Sequence, residues 1–181
     1  MVRKNVMRSI ILIIGLLIGA YCSSSAQYLS LKGMGFLGIA NNSGAEYFYN
    51  GGGFALSYQQ ELTETSRLNG GVEYRIINWG HQVALQLGYD YAYWQQGPWR
   101  AAAFGQVQAG SALYVQKGLF TWGAGVGSSL EWKSPKAFFA SLSFGARVSH
   151  CPAYLEYGGI NVTLDLPIQL GIGFKLGNRK D

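Results

Sequence analysis

The segment that most constrains this chain is residues 159–176, GINVTLDLPIQLGIGFKL. From Ile160 onward its even positions are large and apolar: Ile160, Val162, Leu164, Leu166, Ile168, Leu170, Ile172, Phe174 and Leu176. The odd positions are polar, small or kinked: Asn161, Thr163, Asp165, Pro167, Gln169, Gly171, Gly173 and Lys175. A helix repeats every ~3.6 residues and cannot carry a period of two. Soluble strands are usually only about 5–6 residues long. One face of this segment needs an apolar partner along its whole length, while the other tolerates water. A tilted strand crossing a bilayer has that requirement, with about 9–11 residues in the hydrocarbon.

The same alternation recurs upstream. Strands are predicted over residues 28–40, 48–62, 67–76, 82–94, 99–113, 119–132 and 137–149, with 159–176 the last. In the fourth, Val83, Leu85, Leu87, Tyr89, Tyr91 and Tyr93 alternate with Ala84, Gln86, Gly88, Asp90, Ala92 and Trp94. In the sixth, Phe120, Trp122, Ala124, Val126, Leu130 and Trp132 oppose Thr121, Gly123, Gly125, Gly127, Ser129 and Glu131. The first strand is blurred, with Leu29, Leu31, Leu37 and Ile39 on one face. Turn residues separate the strands. Connections at 63–66, 95–98 and 133–136 alternate with others at 41–47, 77–81, 114–118 and 151–158. An even number of antiparallel strands closes into a barrel, which leaves no unpaired edge in lipid. The predicted fold is all-β: an eight-stranded antiparallel transmembrane β-barrel after a cleaved signal peptide.

The N-terminus reads as that signal. Arg3, Lys4 and Arg8 precede an apolar run at 10–21, too short to span a bilayer as a helix. Ser24-Ser25-Ala26 offers small residues for cleavage before Gln27. The competing reading is a lipoprotein acylated at Cys22, although Tyr21 stands where a small residue is wanted. The predicted organisation is a signal peptide at 1–26, a barrel at 27–176 and a polar tail at 177–181. Cleavage removes three of the 14 basic residues, so the mature charge is 11 − 9 = +2. That small excess gives no case for direct nucleic-acid binding. Few charges (13%), many aromatics (14%) and 26 glycines fit a membrane barrel better than a soluble sandwich. Cleavage also leaves Cys151 as the single cysteine, so no internal disulfide can form.

The placement of charge assigns the faces. Arg67, Glu73, Arg75, Asp90, Arg100, Glu131, Arg147, Asp165 and Lys175 all lie opposite the bulky apolar face. A charge facing mid-bilayer lipid costs roughly 2–4 kcal/mol. The charged face is therefore predicted to line the lumen. Eight strands enclose a space that side chains can fill, so internal ion pairs are expected and a wide pore is not. Trp122 and Trp132 stand ten residues apart on the outward face. At about 3.3 Å per residue and a tilt near 40°, they are roughly 25 Å apart along the normal. That matches an apolar band bordered by aromatic girdles, in which Trp122, Trp132, Tyr89 and Tyr93 are predicted to sit.

Little points to chemistry. His81 and His150 lie near strand ends, and no ligand spacing suggests a metal or another cofactor. Ser149-His150 with Glu156 is the one hydrolase-like grouping. The end of the chain carries Gln169-x-Gly171-x-x-Phe174-x-Leu176. This resembles the polar-x-Gly-x-x-aromatic-x-apolar signal at the end of outer-membrane barrels, which implies recognition by the barrel-assembly machinery.

Short patterns follow one another along the chain: Gly52-Gly53 with Ser57-Tyr58, Gly71-Val72-Glu73-Tyr74 and Gly88-Tyr89-Asp90-Tyr91. They continue with Trp122-Gly123-Ala124-Gly125, Phe144-Gly145-Ala146-Arg147 and Gly171-Ile172-Gly173-Phe174-Lys175. Their order resembles the small TraO proteins of conjugative transposons in the Bacteroidetes. The resemblance implies a non-enzymatic outer-membrane component of a conjugative DNA-transfer apparatus, with a scaffolding role. Its expected surroundings are outer-membrane lipid and other proteins of the apparatus, with the N-terminus in the periplasm of a Gram-negative cell. The alternatives are a general porin-like or adhesion barrel, and a lipid-modifying barrel enzyme.

Overall fold

The structure, a computed structural model, describes residues 26–42, 45–77, 80–114, 117–135, 137–150 and 162–176. Among them eight strands follow one another: β1 (Gln27–Asn42), β2 (Ala45–Glu61), β3 (Ser66–Ile77), β4 (Gly80–Gln96), β5 (Trp99–Tyr114), β6 (Lys117–Lys133), β7 (Phe138–His150) and β8 (Val162–Lys175). Each pairs antiparallel with the next, and β8 returns to β1 to close the barrel. The all-β, eight-stranded antiparallel barrel expected from the sequence is the observed fold. The predicted leader with Cys22, the stretch holding Cys151, Glu156 and the start of the last predicted strand, and the 177–181 tail lie outside the described residues. Among the described residues, no helix is long and apolar enough to cross a membrane.

The alternation decides the two faces of the wall. On β8, Leu170 is 67% exposed on the outside, while Asp165 is 0% exposed inside. Val162, Leu164, Leu166, Ile168, Ile172 and Phe174 are exposed with Leu170. Side chains on a strand alternate between faces, so one strand supplies both surfaces. The ladder holds this register around the barrel. Leu31 pairs with Ile172, Ile172 with Ala140, Ala140 with Trp132 and Trp132 with Trp99.

The connections differ from the expectation at one rim. Stretches of five to seven residues were expected at 41–47, 77–81 and 114–118, but the strands run further. Asn41 and Asn42 still pair, with Glu46 and Ala45, leaving only 43–44 between β1 and β2. Likewise 78–79 separate β3 from β4, and 115–116 separate β5 from β6. Two residues suffice to reverse a hairpin, so turn-forming residues beside them can stay in the ladder. At the opposite rim Gly97-Pro98 joins β4 to β5, with Gly97 at φ 56°. Glycine adopts that left-handed conformation without steric penalty. Ala137, predicted to begin the seventh strand, instead has φ 67° and belongs to the turn before Phe138.

Two further corrections concern faces. Trp94 was expected inside with Asp90 and Ala92. The β4–β5 register shifts between Ala92 and Trp94, and Trp94 lies outside at 44% exposure. One inserted residue inverts the alternation beyond it. The indole thus escapes a crowded lumen and reaches the rim beside the outward Trp99. The blurred alternation of β1 also has a cause. Its even positions face inward, and they include the buried Tyr28, Met34 and Phe36. Met34, Phe36, Ala40, Tyr49 and Ala55 form an apolar cluster inside the barrel. The Phe36 and Tyr49 rings meet edge to face at 6.2 Å. A Cβ on Gly38 would strike the Tyr49 ring, and one on Gly51 the Phe36 ring. Both glycines make room for lumen aromatics.

Candidate functional site

The lumen carries the only dense polar constellation among the described residues, and it is built in two layers. In the layer farther from the termini, Arg147 places Nη1 2.7 Å from Glu73 Oε1 and Nε 3.3 Å from Asp165 Oδ2. Arg75 Nη2 donates to the same Asp165 oxygen, and Arg75 Nε lies 3.7 Å from Glu73. The amide of Gln86 donates to Glu73, and Arg147 Nη1 donates to Gln108 Oε1 at 3.1 Å. Arg75 Nη1 donates to Gln82 at 3.1 Å, and the guanidinium carbon lies 4.4 Å from the centroid of the Phe36 ring. Two cations face two carboxylates, and all four are at most 1% exposed.

The layer nearer the termini repeats the plan. Arg67 Nη1 meets Glu131 at 2.7 Å, and its Nη2 meets Glu61 at 3.3 Å. Arg100 Nη2 pairs with Asp90, and its Nη1 lies 3.7 Å from Glu131. Lys133 reaches Glu61 at 3.3 Å, and the Tyr28 hydroxyl donates to Glu61 at 3.0 Å. Three cations face three carboxylates. The charges of this layer come from β2, β3, β4, β5 and β6, because a barrel brings opposite walls together. Buried charges are tolerated when paired and hydrogen-bonded. Every charge here is paired, but Arg67 Nε, Arg75 Nε, Arg100 Nε and Nη1, Arg147 Nη2 and Asp165 Oδ1 are buried without a hydrogen-bond partner.

Between the layers lies a chamber of about 50 Å³, lined by Lys32, Gln59, Asn69, Gln86, Asp90 and Glu131 among others. A water needs about 10–15 Å³ of such volume, so the chamber accommodates a few waters. Among the described residues Lys32 makes no ion pair within 4.0 Å, unlike the cations of the two layers.

Eight of the nine residues predicted to line the lumen join these networks. Lys175 does not. It is half-buried at the last position of β8, and among the described residues it has no carboxylate within 4.0 Å. A strand end at the rim lies beyond the last layer of charge. Sequence reasoning missed Lys32, Glu61 and Lys133. Glu61 follows Ala55, Ser57 and Gln59 on the inward alternation, and Lys133 follows Glu131 by two, so both were readable by extending the period.

The terminal motif is split between faces. Gln169 is buried and accepts from Ser143 Oγ at 3.3 Å. Gly171 is also inward, and a Cβ there would meet Ser141 Oγ at 2.6 Å. Phe174 and Leu176 are exposed outside, with the Phe174 ring 5.6 Å from Phe138. Of the aromatics, Trp122 packs against His150 at 5.4 Å and Trp132 against Phe138 at 6.5 Å. The Tyr93 hydroxyl bonds Ser128 at 2.9 Å, beside the bulge. Tyr89 pairs with Gly105, and Gly105 with Val126, between the two tryptophans in register.

The hydrolase-like grouping is not assembled. Ser149 is buried inside and accepts from Gln108 Nε2 at 3.2 Å, whereas His150 packs against the outward Trp122. Neighbouring strand residues point to opposite faces, so adjacency in sequence separates them here. His81 pairs with Tyr74 at 2.7 Å on the outside. Among the described residues, no group of metal-ligating side chains comes together.

Comparison with solved structures gives the same architecture. Neisserial surface protein A, from Neisseria, superposes with a TM-score of 0.56 at 13% identity, over 82% of this chain and 97% of that one. The fold is that of the outer-membrane barrels. The N-terminal β-barrel domain of OprF from Pseudomonas aeruginosa gives 0.51 at 15% identity, over 84% of this chain and 100% of that one. No family model matches the chain, and no curated protein does.

Proposed function

We propose that this chain is a closed, non-catalytic outer-membrane scaffold, with its N-terminus in the periplasm, that serves a conjugative DNA-transfer apparatus. The observation that carries the scaffold reading is the lumen. Two charge-balanced layers and an apolar cluster fill it, leaving a chamber of only about 50 Å³. A porin needs a continuous aqueous path, and larger barrels provide one. The place in DNA transfer rests on the sequence resemblance to the TraO proteins alone. In that setting the partners are outer-membrane lipid, the barrel-assembly machinery that reads Gln169, Gly171, Phe174 and Leu176, and other proteins of the apparatus. Direct contact with nucleic acid is not part of the proposal. An adhesion role is the competing reading, and it would reside in the connections rather than in the lumen.

Two measurements test it. The protein should fractionate with the outer membrane and migrate differently on detergent gels before and after heating; recovery as a soluble periplasmic protein would refute the membrane reading. Deleting its gene from a donor carrying the transfer element should lower transfer frequency by orders of magnitude and be rescued in trans. Unchanged transfer, or a gene neighbourhood without conjugation genes, would sink the transfer role and leave the barrel standing.

A further inference from the structure

The outer wall is not uniformly ridged. A groove of about 1040 Å³ crosses it at the β8–β1 seam, lined by Gly33, Gly35, Leu37, Phe144, Leu166 and Ile168 among others. A second groove of about 610 Å³ continues from it through the shared Gly33 and Leu170. That groove ends at Trp99 and Trp132, which pair with each other near the rim that carries the termini. Together they form one apolar track from an indole pair up across the wall. The track exists because Gly33 and Gly35 replace large side chains on the outward face of β1. A Cβ at either position would meet no heavy atom within 4 Å.

The floor of the track is also where the β7–β8 ladder is interrupted. Pro167 lies in the middle of β8 and has no N–H to donate. Across the β7–β8 seam, Phe144 pairs with Ile168 and Arg147 with Asp165, but Gly145 and Ala146 are not paired with Pro167 and Leu166. Gly145, Leu166 and Pro167 line the groove directly over this gap.

From this geometry we infer that the β7–β8–β1 wall seats one acyl chain of a phospholipid drawn from the leaflet on the side of the termini. Trp99 and Trp132 stand at headgroup level, where indoles prefer the interface. The chain then rises along Ile172, Leu170, Gly33 and Gly35, and covers the interrupted ladder. No charged side chain lines either groove, which suits a hydrocarbon tail and no polar ligand. The inference rests on the bilayer-spanning reading above.

The test uses the full barrel in nanodiscs containing phosphatidylethanolamine with a photoactivatable diazirine in its acyl tail. After illumination, peptides from β7, β8 and β1 should carry about fivefold more label than those from β3 to β5, the ratio that a modest binding preference produces. The double variant Gly33→Leu/Gly35→Leu fills the track and should bring that label down to the level of the other strands. Gly105→Leu, at an outward glycine on β5 that also has open space, is the control and should leave it unchanged. Heat-modifiable migration confirms that each variant is folded. Even labelling around the barrel, or undiminished labelling of the filled track, would overturn the acyl site while leaving the barrel in lipid. Cross-linked dimers through this face would assign it to a second copy and overturn it too. Absence of label on every strand would sink the membrane reading itself.

Discussion

Asp165 is the residue on which the inner layer turns. One carboxylate oxygen receives both Arg75 and Arg147, and the residue is 0% exposed. Replacing it by leucine leaves two buried guanidiniums with a single remaining acid, Glu73. Asp165→Leu should therefore lower unfolding free energy by about 3–5 kcal/mol, measured by urea titration of the barrel refolded in bilayers. Lys32 has the opposite logic. Among the described residues it reaches no carboxylate within 4.0 Å, and it lines a small polar chamber. A buried ammonium without a direct partner is costly, so Lys32→Met should raise stability by about 1 kcal/mol. A loss comparable to that of Asp165→Leu would show that Lys32 is anchored through water. The acid and its partners were legible as inward residues from alternation alone. That Asp165 meets Arg75, at a separation of 90 residues, was not.

Among the elements, β8 carries two separable properties. Pro167 interrupts its ladder with β7, so the amides of Gly145 and Ala146 should exchange with solvent deuterium faster than those of Gly105 and Val126 on the intact β5–β6 ladder. Pro167→Val returns a donor, and should slow that exchange and add about 1 kcal/mol of stability. Equal exchange in the native protein would show that the seam is not weak. Phe174 tests the second property. It lies outside near the rim, where a charge costs only about 0–1 kcal/mol. If the terminal motif is read during assembly, Phe174→Asp should still abolish most outer-membrane insertion, while the same change at the outward Phe48 of β2 should not. Equal membrane levels of the two variants, by immunoblot, would reduce the strand to a stretch of wall.

For the whole molecule, the decisive quantity is the charge balance of the lumen. The two layers are neutral, with five cations against five acids, and Lys32 adds a single positive charge. A barrel so filled should show no stable open steps in planar bilayers. Sustained conductance of porin size would contradict the closed scaffold.

The sequence by itself determined the wall. A period of two reports, residue by residue, which side chains face out, because it depends only on strand geometry and not on what lies across the barrel. That was enough to count eight strands and to assign the nine charges to the inward alternation, eight of which join the two layers. It failed where one residue shifts the phase, as at Trp94, and where apolar side chains face inward, as Met34 and Phe36 do on β1. Only the closed tertiary structure decided which arginine meets which acid, and where the lumen keeps its chamber. It also decided that Gly33, Gly35 and Pro167 fall together on the outer wall. Those contacts join residues dozens of positions apart, brought together by closure and register, and no local pattern encodes them.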